Sequence, residues 1–318
     1  MTTDRLPLRR LRLSLTCLLL LCAAPASHAV ARALPMREIA QGVYLHQGLH
    51  EESSRANAGD IANVGFIVGS RCVAVIDTGG SFEVGRQLLH AIRLRSAKPI
   101  CYVIHTHAHP DHVFGDAAFL SRRPVYVAHA RYASTFGSRW SHYRRALVRE
   151  LGQQRAGPGE MIAPGLTVTG QMSLDLGART LLLRAWPTAH SNADLTIWDS
   201  RTGTLWLGDL LFERRVPALD GSINGWLDVL DEMRRLPVRL AVPGHGAPSR
   251  LWPGALEAQT TYLRELRQEV RAALRQGKTL AQAAEAASHD DAGQWLLFSE
   301  YQPRNVTAAY AELEWEKR

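Results

Sequence analysis

Apolar side chains alternate with polar ones, or run together in short blocks, at VYLHQG from Val43, NVGFIVG from Asn63, CVAVIDTG from Cys72, ICYVIHTH from Ile100 and PVYVAHA from Pro124. Blocks of that length and period predict strands, whose successive side chains point to opposite faces. From Ser81 to Arg95 the period lengthens, and Val84, Leu88, Leu89 and Ile92 fall on one face of a helix. Past residue 160 a second group of strand runs follows: LTVTG, SLDLG, TLLLRAW, LTIWD and TLWLGDLL. A second helix starts near Ser222, with Ile223, Trp226, Leu227, Leu230 and Met233 at helical spacing. Strand clusters each followed by a helix predict an α/β protein of αββα type, two sheets packed face to face with helices over both outer faces.

Two stretches stand outside that plan. Residues 130–156 form a helix-rich insertion carrying Arg131, Arg139, Trp140, Tyr143, Arg144 and Arg145. Those charges read either as a solvated basic face or as an anion clamp. Residues 254–318 form a helical extension whose Leu256, Leu263, Leu266, Val270 and Leu274 make an apolar stripe, expected to pack on the domain or on a partner subunit.

Residues 1–29 carry Arg5, Arg9, Arg10 and Arg12, then the apolar core LTCLLLLCAA, then Ser27, His28 and Ala29. A basic start, a short apolar core and a small-x-small end are the pattern of a secretory signal peptide. The core is too short to span a bilayer. Leu21 before Cys22 stands where a lipoprotein signal needs a small residue. A chain starting near Val30 and working in the periplasm is therefore expected, with a domain over 30–253 and no stable membrane insertion. The formal charge of +7 loses the leader's four arginines and one aspartate, leaving +4, too little to suggest a nucleic-acid partner. Of four cysteines, Cys72 and Cys101 remain after the leader. A disulfide and two buried thiols are both open readings.

The chemistry concentrates in IHTHAHPDHVFG, where His107, His109, Asp111 and His112 place four metal-binding side chains within six residues. Imidazole and carboxylate donors suit zinc and tolerate iron or manganese. Two ions need further ligands, and three runs supply them: His190 after TLLLRAW, Asp209 where LWLGD is expected to end a buried strand, and His245 in PGHG. Strand ends are where a rigid scaffold presents chemistry. The chain shows no internal repeat, phosphate loop or nucleophilic triad.

The order H-x-H-x-D-H, then His, then Gly-Asp, then Pro-Gly-His-Gly resembles the metallo-β-lactamase superfamily of binuclear hydrolases over about residues 37 to 250, with ANVGFIVGSRCVAVIDTGGS similar to its entry hairpin. More narrowly, GDIANVGFIVG, VAVIDTGGS and THAHPDHVFGDAAF are similar to the quinoprotein-relay-system zinc metallohydrolases. The resemblance implies His107, His109 and His190 at a first metal, Asp111, His112 and His245 at a second, and Asp209 bridging both. β-Lactam-hydrolysing members carry Cys or Ser at the place of Asp209, which disfavours that activity. A flavodiiron relative would carry Glu at the place of His109. The third-histidine run reads T-A-H-S-N-A-D in place of G-H-T-x-G, leaving the role of Asp194 open.

Two divalent ions roughly 3.5 to 4 Å apart share a water and lower its pKa, so the expected reaction is hydrolysis with Asp111 orienting the nucleophile and taking its proton. Asp77, His105 and Asp194 are the candidates for fixing the imidazoles from behind, with His105 equally readable as an inward core residue. The expected substrate is a small molecule with an ester, thioester, lactone or similar acyl bond. A phosphodiester and an auxiliary or redox role beside a quinoprotein dehydrogenase are the alternatives.

Overall fold

Among the described residues of this computed structural model, 1–2, 32–286 and 293–316, the strands form two sheets. The chain divides into Met1–Val30 and Ala31–Arg318, and every element below belongs to the second unit. The expected leader, with Cys17 and Cys22, lies outside the described residues beyond its first two positions.

The first sheet has seven strands in sequence order: β1 (Arg37–Ala40), β2 (Val43–His46), β3 (Val64–Val68), β4 (Val73–Ile76), β5 (Ile100–Ile104), β6 (Val125–His129) and β7 (Leu166–Val168). β1 to β4 run as an antiparallel meander, and β4 to β7 are parallel. The second sheet holds β8 (Gln171–Asp175), β9 (Thr180–Ala185), β10 (Leu195–Asp199), β11 (Thr204–Phe212) and β12 (Leu240–His245), in the order β12-β11-β10-β9-β8. The helices are α1 (Phe82–Arg93), α2 (Pro110–Val113), α3 (Tyr132–Leu151), α4 (Gln153–Ala156), α5 (Ile223–Met233), α6 (Glu257–Arg275), α7 (Leu280–Ala286) and α8 (Phe298–Leu313).

The alternation along each strand sorts side chains into separate cores. Ile67, Ala74, Ile76 and Ile104 of the first sheet meet Leu183, Ile197, Trp206 and Val242 of the second in the layer between the sheets. Phe66, Val73, Val75 and Val103 point the other way, against Leu88 and Ile92 of α1. Leu205 and Leu207 on the outer face of the second sheet meet Trp226 and Leu230 of α5, with Leu263, Leu266 and Val270 of α6. Each of the buried valine, leucine, isoleucine and phenylalanine side chains contributes about 1.5–3 kcal/mol relative to exposure. Four layers in the order helix, sheet, sheet, helix result, as the patterning predicts, and the apolar stripe of the helical extension packs on the domain. Among the described residues no helix is long and apolar enough to cross a membrane.

Three details depart from or resolve the sequence reading. β1 carries no pattern that marked it, because its REIA is half polar and half-buried at an edge. β11 does not end at Asp209 but continues to Phe212, since Leu210, Leu211 and Phe212 all find apolar neighbours. Cys72 and Cys101 are joined in a disulfide between the start of β4 and β5.

Candidate metal centre

Seven predicted donors converge at the ends of the central strands. β5 stops at Ile104, His107 and His109 follow in a loop, and Pro110 starts α2, whose first turn carries Asp111 and His112. His190 sits in the β9–β10 loop, Asp209 within β11, and His245 on the last residue of β12. Gly208, at φ +52, shifts the register of β11 against β12 and turns the next side chain, Asp209, into the cluster. A Cβ at Gly244 would lie 1.9 Å from Asp209 Oδ1, so only glycine leaves that carboxylate its place.

The donors form two groups. His107 Nε2 and His190 Nε2 are each 3.0 Å from His109 Nδ1, and Asp209 Oδ2 is 3.6 and 3.5 Å from His107 and His190. On the other side, Asp209 Oδ1 is 3.1 Å from His112 Nε2 and 3.4 Å from His245 Nε2, while Asp111 Oδ2 is 3.8 and 3.4 Å from the same two nitrogens. A tetrahedral zinc with donors at about 2.0–2.2 Å separates them by about 3.4 Å. His112 Nε2 and Asp209 Oδ1 are buried and face each other at 3.1 Å without the angles of a hydrogen bond, an arrangement that a cation held by both satisfies better. Donor chemistry, spacing and these two atoms all fit a pair of divalent ions.

The electrostatics agree. Burial, with the neighbouring imidazoles, holds His107 well below the usual histidine range and His190 down at about 4. Burial opposes charge on His112 too, yet the carboxylates of Asp209, Asp111 and Asp77 outweigh it and raise its pKa strongly. Burial would raise Asp111 and Asp209, but the surrounding imidazoles keep both well below the carboxylate range. The carboxylates that raise His112 attract a divalent cation for the same reason, and the lowered His107 and His190 stay neutral, the form in which an imidazole binds a metal.

Each imidazole is held at its other nitrogen. His112 Nδ1 lies 2.8 Å from Asp77 Oδ2, His245 Nδ1 2.7 Å from the Ile61 carbonyl, His190 Nδ1 2.6 Å from the Ala218 carbonyl, and His107 Nδ1 3.0 Å from Thr106 Oγ1. His109 Nε2 lies 3.0 Å from Asp220 Oδ2, and Arg139 of α3 donates to the same oxygen. Such contacts fix which nitrogen faces the ion. Of the three expected partners, Asp77 alone touches an imidazole of the site. His105 is buried against Tyr132, 3.1 Å from the Asp116 carboxylate, as an inward residue. Asp194 accepts from the Ser191 amide and hydroxyl, one residue beyond His190, and burial raises its pKa to about 7 against those hydrogen bonds.

Sequence reasoning missed Asp220, which precedes Gly221 and Ser222 and reads as an ordinary turn residue. In the basic insertion Arg131 and Arg145 are exposed, as on a solvated face, while other contacts are internal. Arg144 donates to the carbonyls of Ala156 and Gly157, Arg131 to that of Trp186, and Arg139 to Asp220.

The model of the metallo-beta-lactamase superfamily matches residues 58–245. The chain belongs to that superfamily. Its α/β fold is of this type. A linear primary-alkylsulfatase from Pseudomonas sp. (strain ATCC 19151) is 40% identical over 128 residues, 39% of this chain and 22% of that protein. The chain therefore spans under a quarter of that relative. Among solved structures, an inverting sec-alkylsulfatase from Pseudomonas sp. superposes with a TM-score of 0.65 at 18% identity, covering 87% of this chain and 50% of the other. A metallo-beta-lactamase from Pontibacter korlensis gives 0.56 at 18% identity, over 73% and 99% of the two chains. These structural likenesses concern the fold.

Proposed function

We propose that this superfamily member is a binuclear hydrolase, exported to the periplasm, that cleaves an ester, thioester, lactone or similar acyl bond of a small molecule. The observation that carries the binuclear reading is the division of one carboxylate, with Asp209 Oδ2 facing His107 and His190 and Oδ1 facing His112 and His245. His107, His109 and His190 would hold one ion and Asp111, His112 and His245 the other, with Asp209 shared. Two divalent ions there, zinc on the donor set, would supply Lewis acidity and an activated water near neutral pH. Asp111 is ionised at neutral pH, and its Oδ1 accepts a hydrogen bond from the attacking water and then its proton. Asp77 and Asp220 keep the imidazoles oriented while this happens.

The leader pattern supports the periplasmic address, and the motif runs around Asp77 and His107 support a link to a quinoprotein dehydrogenase. Asp at 209 speaks against β-lactamase activity. A sulfate ester is the second reading, favoured by the 40% identity with an alkylsulfatase over 128 residues. The deciding experiment is turnover by zinc-loaded chain on matched carboxylic esters, thioesters, lactones, alkyl sulfates and phosphodiesters. Hydrolysis of the acyl compounds is expected. Turnover of alkyl sulfates alone would replace the first reading with the second.

A further inference from the structure

The loop from Glu213 to Ser222 joins β11 to α5 and supplies two of the groups that hold imidazoles: the Ala218 carbonyl behind His190 and the Asp220 carboxylate behind His109. At its ends the loop is tied to the body of the domain, the Glu213 amide donating to the His245 carbonyl, the Asp220 amide to that of His190 and the Ser222 amide to that of Ala189. Between Arg214 and Leu219 the helical extension adds further ties. Leu296, just before α8, exchanges backbone hydrogen bonds with the loop on both sides of Arg215, its amide donating to the Arg214 carbonyl at 2.8 Å and its carbonyl accepting from the Val216 amide at 3.0 Å. Glu312, near the end of α8, accepts from the Ser222 hydroxyl at 2.8 Å and the Ile223 amide at 2.7 Å, closing the loop's far end.

Between these two fastenings stands Asn305, buried to 1% exposure. Its Oδ1 accepts from the Leu219 amide at 2.9 Å, and its Nδ2 donates to the Pro217 carbonyl at 2.6 Å. The two bonds bracket Ala218, whose carbonyl accepts from His190 Nδ1 at 2.6 Å. A second Nδ2 contact, 2.7 Å to the Tyr262 hydroxyl of α6, fixes the amide's own orientation. One side chain from the extension thus sets the position and direction of the carbonyl that selects the tautomer of a predicted ligand.

We infer that Asn305 is a positioning residue for the first metal, and that α8 is part of the metal centre's support. The inference rests on the two-metal reading above. If the Asn305 bracket is removed, the Ala218 carbonyl is free to turn, His190 loses its fixed tautomer, and the group of three imidazoles weakens while the other group does not. The extension has a role here beyond the apolar packing that its stripe of leucines performs.

The test is zinc affinity, read stepwise against a competing chelator, for the full chain and for Asn305→Ala, Asn305→Asp, His190→Ala and Leu313→Ala. His190→Ala identifies which step belongs to the first site. Asn305→Ala should weaken that step by about 10–100-fold and leave the other within about twofold, the range seen when the partner of a metal-bound histidine is removed. Asn305→Asp keeps the acceptor for Leu219 but loses the donor to Pro217, so it should shift the same step by less, and it serves if the alanine variant does not fold. Leu313→Ala, an apolar truncation in the same helix, should lower the melting temperature and move neither step. Unchanged affinities in both Asn305 variants, or an equal shift in Leu313→Ala, would overturn the inference while the two-metal reading stands. A wild-type chain that holds no zinc would overturn that reading and the inference with it.

Discussion

Asp77 Oδ2 and His112 Nδ1 lie 2.8 Å apart, both buried, at the point where β4 gives way to the loop under the metal-binding string. Asp77 also takes the Thr106 amide at 2.8 Å and the Thr106 hydroxyl at 2.7 Å, so one carboxylate ties β4 to both ends of the H-x-H-x-D-H segment. Asp77→Ala would leave His112 Nδ1 and the Thr106 amide without partners. The expected cost is about 2–3 kcal/mol of stability and about 10–100-fold in zinc affinity at the second site. Thermal unfolding and zinc titration check both, and wild-type values in the two would remove Asp77 from its role.

Asp220 makes the matching prediction for the first site. Its contact with His109 spans 111 residues of sequence, and Asp220→Ala should weaken zinc there by a similar factor. Arg139→Met, which removes a half-exposed partner from the far side of the same carboxylate, should have an effect of only a few-fold because solvent screens that pair. If Arg139→Met proved as damaging as Asp220→Ala, the carboxylate would depend on its arginine rather than acting by itself.

The difference between Asp77 and Asp220 shows what a sequence exposes. His107, His109, Asp111 and His112 are legible because their donors are adjacent in the chain, and their density is hard to explain without a metal. Asp77 could be anticipated because it ends a strand whose parallel neighbour, β5, leads directly into that string. Asp220, the Ala218 carbonyl and Asn305 act through contacts between distant segments and belong to residue types that turns and helices use everywhere. The sheets were legible from the period of their apolar residues, which is set by burial on both faces. The end of β11 was not, because the glycine and aspartate that looked like a stop form an irregularity inside a strand, with Leu210 to Phe212 still buried beyond it.

The Cys72–Cys101 disulfide closes a sequence separation of 29. Constraint of the unfolded chain by a loop of that size stabilises the fold by about 3–4 kcal/mol. Cys72→Ala with Cys101→Ala should lower the melting temperature accordingly, and dithiothreitol should have the same effect on the wild type. A melting temperature indifferent to both would mean that the bond contributes nothing.

His46 provides a pH test away from the metal donors. Burial disfavours its charge, but the hydrogen bond at 2.7 Å to the Asp60 carboxylate, with that group's charge, outweighs burial and raises its pKa above 6.5. A histidine whose folded pKa is raised contributes stability that is complete below its unfolded pKa, about 6.5, and is lost as pH rises through the folded value. His46→Gln should therefore cost about 1.5–3 kcal/mol at pH 5.5, as for a hydrogen bond to a charged group, and less at pH 9. Denaturant unfolding at the two pH values decides it, and a cost that grew with pH would contradict the raised pKa.

Asp209 bears most directly on the reaction, because its carboxylate reaches both groups of donors. Its two oxygens face opposite sides, and the glycine at 244 leaves space that no other residue would. Asp209→Ala removes a donor from both sites at once. Each site keeps three donors, but the second has two imidazoles and a carboxylate against three imidazoles; we expect that site to be the weaker, so the second ion should be lost first and the purified chain should hold about one. Asp209→Cys offers a thiolate, a good zinc ligand at about 2.3 Å, but one atom cannot face both groups as the carboxylate does. Two ions should still enter at saturating zinc, with the second bound more weakly than in the wild type. β-Lactam hydrolysis need not appear, since activity is set by the whole site and not by one ligand. Metal stoichiometry by elemental analysis and turnover on the acyl panel, measured side by side for the three proteins, separate the outcomes. Two tightly held ions and full turnover in Asp209→Ala would show that the carboxylate shares no metal, and the binuclear mechanism would lose the observation on which it stands.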